Sequence, residues 1–176
     1  MLENILILLF FIILFFLLFN FAWAGISAAP WVPSKKKDFY RILELAEAKP
    51  GDVIYDLGCG DGRWLFYFAK NTQAKTITGF EISFSMLFIC WIKKLFTRYP
   101  QVKIQYKNLY KVDLSSADIV LCFLMPKTIE KLLPKIKSEM KSGSKLISYA
   151  FSAPIIKPEK ISKISQKDIS IYLYRF

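Results

Sequence analysis

Asp56-Leu57-Gly58-Cys59-Gly60-Asp61-Gly62-Arg63 places two carboxylates, three glycines at alternate positions and a guanidinium within eight residues. The apolar run Val53–Leu57 before them reads as a buried strand and Arg63–Lys70 as a helix, so the glycines fall on the turn between the two. Ligands of open α/β sheets bind beyond the carboxyl ends of the strands. Glycine there lets the backbone turn tightly and lets a ligand approach without a Cβ in the way. The spacing is G-x-G-x-G, which departs from the G-x-G-x-x-G of dinucleotide sites. Glu81 ends the next apolar segment about 20 residues on, where a carboxylate can accept hydrogen bonds from both hydroxyls of a ribose. After a further strand, Asn108-Leu109-Tyr110 supplies an amide and an apolar surface suited to the edge and face of an adenine.

The residue inventory narrows the chemistry. The chain has no histidine, which excludes Ser-His-Asp and Cys-His nucleophiles and any His-ligated metal. Cys59, Cys90 and Cys122 lack metal-ligand spacing and read as buried free thiols in a reducing compartment. The net charge is +11, yet the lysines are scattered rather than gathered in an arginine-rich stripe, which argues against nucleic acid as a partner. Leu121-Cys122-Phe123-Leu124-Met125-Pro126 reads as an apolar lining.

Alternating elements must position these groups. The pattern predicts strands at 53–57, 76–81, 102–106, 119–124, 145–151 and 169–174, with helices at 35–49, 63–70, 85–99 and 127–140. Ser34 reads as the N-cap of the first of these helices, which Pro50-Gly51 ends. Such alternation implies βαβ units and a mainly parallel sheet covered by helices on both faces. At 176 residues there is room for one domain, placed at 35–176, and an appendage.

The appendage is apolar. Every residue from Ile5 to Phe19 is apolar, and Glu3 is the only charged side chain before Lys35. Residues 4–24 are expected to form one transmembrane helix, since about 20 residues cross a hydrocarbon core. A cleaved signal peptide is the competing reading, with Ala22-Trp23-Ala24 in the form of a cleavage site. Lys35–Lys37 and Arg41 beyond the run predict a single-pass protein with its catalytic domain facing the cytoplasm. The basic domain would then lie against a lipid bilayer. Residues 25–34 form a short connector whose Pro30 and Pro33 keep it extended.

Asp56–Arg63, Glu81 and Asn108–Tyr110 together resemble the cofactor motifs of the seven-stranded S-adenosylmethionine-dependent methyltransferases. Pro30-Trp31-Val32-Pro33-Ser34 resembles the P-[YF]-V-P-[TS] segment of small protein-lysine methyltransferases, an archaeal group and the mitochondrial ATP synthase c-subunit lysine methyltransferase among them. The resemblance runs from about Pro30 to Phe176 and implies a Rossmann-like α/β methyltransferase domain. By it, Asp56, Gly58, Gly60, Gly62 and Arg63 would surround the methionine part of S-adenosylmethionine, Glu81 the ribose, and Asn108 with Leu109 the adenine. Trp31, Pro33 and Ser34 would close over the methyl group and a lysine acceptor, in a channel walled by Trp31 or Tyr149. Trp31 equally suits an interfacial anchor below a membrane helix.

Little acid–base machinery is needed for such a transfer, because a sulfonium methyl is already activated and positioning supplies much of the rate. Bringing a lysine amine to its neutral form at pH 7 costs about 4.6 kcal/mol from a pKa near 10.4. Desolvation and a nearby cation reduce that cost. The expected reaction is protein-lysine N-methylation at a membrane surface, on a lysine of a membrane protein. The alternatives are methylation of a lipid or small apolar metabolite, and an inert scaffold that binds the cofactor or a partner.

Overall fold

A computed structural model describes residues 2–27 and 32–176. Seven strands, β1 (Val53–Leu57), β2 (Thr76–Glu81), β3 (Val102–Tyr106), β4 (Ile119–Cys122), β5 (Lys145–Tyr149), β6 (Lys160–Ser162) and β7 (Ile171–Arg175), form one sheet in the order β3-β2-β1-β4-β5-β7-β6. The first five run parallel, whereas β7 pairs antiparallel with β5 and with β6. The strand order reverses between β1 and β4, so the carboxyl ends of β1, β2 and β4 surround the crevice where ligands of such sheets bind.

The helices that cover the sheet follow from the apolar periodicity. Alternate side chains of β1 and β4 enter opposite cores, Ile54, Ile119 and Leu121 on one side and Leu57, Val120 and Cys122 on the other. The first core is closed by α2 (Phe39–Ala46), α3 (Arg63–Asn71) and α4 (Phe84–Leu95), through Ile42, Leu65, Phe68 and Cys90. The second is closed by α5 (Pro126–Glu139), through Ile129, Leu132 and Ile136, and α5 continues through Pro134.

Two expectations about the N-terminal part are corrected. The helix foreseen at 35–49 is a 3-10 turn at Lys36–Asp38 followed by α2, and Ser34 caps neither. The Ser34 side chain is buried, and the Asp38 carboxylate is drawn into an ion pair with Arg41 instead of capping α2. The second correction concerns the membrane. Leu2–Ser27 form a helix, α1, of 26 residues with exposed apolar side chains. Among the described residues no helix is long and apolar enough to cross a membrane. The transmembrane helix at 4–24, and the single-pass location built on it, are therefore overturned.

Candidate active site

The glycine turn owes its shape to three left-handed residues, Gly58 (φ 80°), Gly60 (φ 54°) and Gly62 (φ 74°). Only glycine occupies that region without strain. Gly62 has a second reason, since a Cβ there would collide with the Cys90 sulfur of α4 and with Phe66. The turn is also tied to its neighbour strand: Gly58 and Cys59 donate to the Phe80 carbonyl at 2.9 and 3.1 Å.

Glu81 fixes the geometry of this turn. Its Oε2 accepts from the Gly60 amide at 2.9 Å, and its Oε1 accepts from the Ile82 and Ser83 amides, each at 2.8 Å. The side chain anticipated as a ribose ligand therefore also joins the glycine turn to the exit of β2. Asn108, the cap of a 3-10 turn at Leu109–Lys111, accepts from the Tyr110 amide at 3.0 Å.

These elements open onto one cavity, lined by Asp56, Gly58, Gly60, Glu81, Asn108 and Leu109. Val32, Ser34, Trp64, Phe123, Met125 and Phe151 line the rest of it. Asp61 and Arg63 border the same space. Arg63 makes a two-pronged pair with Asp61 at 2.8 and 2.9 Å, and Lys93 adds a third bond to that carboxylate at 2.7 Å. Partial burial works against ionisation of Asp61, but these donors outweigh it and hold its pKa below the ordinary value. Asp56 behaves oppositely. Burial, reinforced by the charges of Glu81 and Asp61, pushes it well above the carboxylate range.

Gly62 lines no part of the cavity wall; it closes the turn behind it. Tyr149 is likewise absent from the wall. It is 1% exposed, and its hydroxyl donates to Asp38 Oδ2 at 2.7 Å. Its ring packs edge-on against Phe123 and Trp64, which do face the cavity. Trp31 and Pro30 lie outside the described residues. The cysteines are buried free thiols, and burial holds Cys122 up at about 12, so it is a neutral core group.

Two features were not foreseen. The Trp64 Nε1 is a buried donor without a hydrogen-bond partner among the described residues, on a side chain that lines the cavity. Its place in the first turn after the last glycine was the available signal. The other is Ala150, left-handed at φ 71° immediately after β5, where the chain turns to bring Phe151 to the wall. Non-glycine residues held in that region cluster at functional sites.

The residues present fit S-adenosylmethionine. Left-handed glycines leave room beside the backbone, a buried carboxyl at Asp56 awaits a cation, and an unpartnered N–H at Trp64 awaits an acceptor. The fold and this site define a Rossmann-like methyltransferase. Residues 56–160 match the ANTKMT methyltransferase domain family, and the chain belongs to it. It is 33% identical to a protein-lysine N-methyltransferase of Saccharolobus islandicus over 82% of this chain and 92% of that protein. It is 24% identical to the human ATP synthase c-subunit lysine N-methyltransferase over 76% of this chain, spanning 56% of the human protein. Among solved structures, an RNA methyltransferase from Salinibacter ruber in complex with S-adenosyl-L-homocysteine aligns with a TM-score of 0.76 and 28% identity, over 82% of this chain and 93% of that one. The chain is an S-adenosylmethionine-dependent methyltransferase of a protein-lysine methyltransferase family.

Proposed function

We propose that this chain methylates the ε-amine of a lysine on a protein, the acceptor entering between the Val32–Ser34 strap and the aromatic wall. The observation that carries this reading is the composition of the cavity lining. Asp56, Glu81 and Asn108 bring the groups to hold a nucleoside and an amino acid, and Val32, Phe123, Met125 and Phe151 add an apolar surface for the acceptor stem.

Each group of residues has a task. Asp56, Gly58, Gly60 and Arg63 would receive the methionine part, Glu81 the ribose, and Asn108 and Leu109 the adenine. When bound, the cofactor supplies a methyl already activated by positive sulfur. The apolar wall strips water from the acceptor amine and so favours its neutral, nucleophilic form. Ser34 and Pro33 restrict the approach, which favours transfer by holding the reacting partners in line. Among the described residues no side chain of the apolar lining is a strong base, so the amine proton leaves to solvent.

The test is methyl transfer from isotope-labelled S-adenosylmethionine to a cell extract separated into protein, lipid, RNA and small metabolites. Label is expected in protein and, after hydrolysis, in N-methyl-lysine. Label confined to lipid, RNA or metabolites would refute the proposal. Action at a membrane surface is a narrower reading, decided by sorting labelled protein into membrane and soluble fractions.

A further inference from the structure

One peptide group on the cavity wall is gripped from two sides. The Ser34 carbonyl accepts from Arg63 Nη1 at 2.8 Å, and the N–H of the same peptide, that of Lys35, donates to the Tyr149 hydroxyl at 3.3 Å. A peptide unit is planar, so holding both its polar ends fixes its orientation. The strap residues Val32, Pro33 and Ser34, which border the cavity, lead directly into it.

Each grip is anchored in turn. On one side, Arg63 is fixed by its two-pronged pair with Asp61, inside the glycine turn, and Lys93 of α4 holds both the carboxylate and the carbonyl of Asp61 at 2.7 and 3.0 Å. On the other side, Tyr149 donates to Asp38, which pairs with Arg41 at 3.0 Å, the two charged side chains being 2% and 1% exposed. Arg41 then donates to Ser162 Oγ and to the Ile169 carbonyl, each at 3.0 Å, and to the Ser162 carbonyl. A chain of bonds thus runs from β6 and the loop before β7, through Arg41, Asp38 and Tyr149, to the strap.

Apolar packing would hold a strap without a buried ion pair, whose desolvation is expensive. What the buried pair adds is direction, because Asp38 presents one oxygen to Arg41 and the other to Tyr149. Burial and the bond to Asp38 raise the Tyr149 pKa, so the hydroxyl keeps the proton it donates.

We infer that the Ser34–Lys35 peptide is a clamp point, held by Arg63 from the cofactor turn and by Tyr149 from the end of β5, through which occupation of the turn sets the position of the strap. Tyr149, Asp38 and Arg41 are accordingly positioning residues, acting on the acceptor end through the strap, while Arg63 couples the strap to the cofactor end. The inference rests on the reading that the glycine turn receives the cofactor and the strap borders the acceptor.

The experiment is residue-resolved amide exchange at Lys35 in the full chain, with and without saturating S-adenosyl-L-homocysteine, beside calorimetric titration of the same compound. In the wild type the Lys35 amide should exchange at least about tenfold more slowly than an unstructured amide, and slow further on binding. Tyr149→Phe keeps the ring and removes both hydrogen bonds. It should raise Lys35 exchange about tenfold and leave affinity for the product within about twofold. Arg63→Lys should abolish the slowing by S-adenosyl-L-homocysteine.

An unprotected Lys35 amide in the wild type would overturn the clamp even if neither variant folds. So would unchanged exchange in Tyr149→Phe. Binding that leaves Lys35 exchange unaltered would overturn the coupling. Absence of binding to wild-type protein would instead refute the cofactor assignment, and the coupling with it, while the Tyr149→Phe exchange still decides the clamp. A loss of affinity in Tyr149→Phe as large as that of Glu81→Ala would place Tyr149 in the cofactor site and contradict its role through the strap.

Discussion

Two parts of the site, the glycine turn at its cofactor end and the Val32–Ser34 strap, are built by different means. At the cofactor end, backbone bonds between adjacent parallel strands and one carboxylate do the positioning: Gly60, Ile82 and Ser83 all converge on Glu81. At the strap end, side chains far apart in sequence do it, with Tyr149 reaching Asp38 and Lys35 across 111 and 114 positions and Arg63 reaching Ser34 across 29. The first kind of end is a local motif and fails when its backbone is disturbed. The second is a set of tethers, and losing one should change the acceptor step more than cofactor binding.

The largest effect should come from the turn itself. Gly62→Ala must place a Cβ against the Cys90 sulfur at a left-handed backbone position, and a stability loss of about 2–5 kcal/mol in denaturant unfolding is expected. A loss no greater than that of an ordinary surface substitution would show that the turn relaxes freely. Next is Glu81→Ala, which frees three backbone amides held at 2.8–2.9 Å. Affinity for S-adenosyl-L-homocysteine should fall about 100-fold, since each bond to a charged acceptor is worth roughly 1.5–3 kcal/mol.

A pH experiment separates the ends further. Burial, then the Glu81 and Asp61 charges, raise the Asp56 pKa, so this carboxyl stays protonated above the ordinary carboxylate range in the free chain. A bound cation favours its ionised form, so affinity for S-adenosylmethionine should rise with pH as Asp56 ionises, and Asp56→Asn should flatten that rise. The opposite sign applies to the stability of the free chain. A carboxyl whose folded pKa is raised contributes stability that is full below its unfolded pKa and is lost as pH climbs through the folded one. Asp56→Asn should therefore remove a neutral-pH penalty, seen as a melting temperature that declines less with pH than that of the wild type.

The smallest effect belongs to the surface pair Lys37–Asp168, at 2.7 Å, beside the strap. The hydrogen bonds from Lys37 and Ser165 hold Asp168 at about 2. Its contribution is present above the unfolded carboxylate range and disappears as pH falls through about 2. Asp168→Asn should lower the melting temperature slightly at neutral pH and not at all below that point, because exposed pairs contribute little.

This difference in construction also explains what could be read from the amino acids alone. Strands at 53–57, 76–81 and 102–106 match β1, β2 and β3 residue for residue, because each is a short apolar or alternating apolar–polar run bounded by turn residues. The edge strand β6 was not visible, being three residues with little burial. Ser34 looked like a helix cap because capping is a local pattern, whereas its carbonyl is claimed by Arg63 from another element. Tyr149 was expected as a wall of the acceptor channel. It lies behind Phe123 and Phe151, which line the cavity, and the left-handed Ala150 that turns the chain to Phe151 after β5 is announced by no side-chain pattern.

The most direct measurement is titration of the full chain with S-adenosyl-L-homocysteine, run in parallel on Glu81→Ala and Tyr149→Phe. The account predicts binding by the wild type, loss in Glu81→Ala and near-native affinity in Tyr149→Phe. No binding by the folded wild type, or equal losses in the two variants, would contradict it.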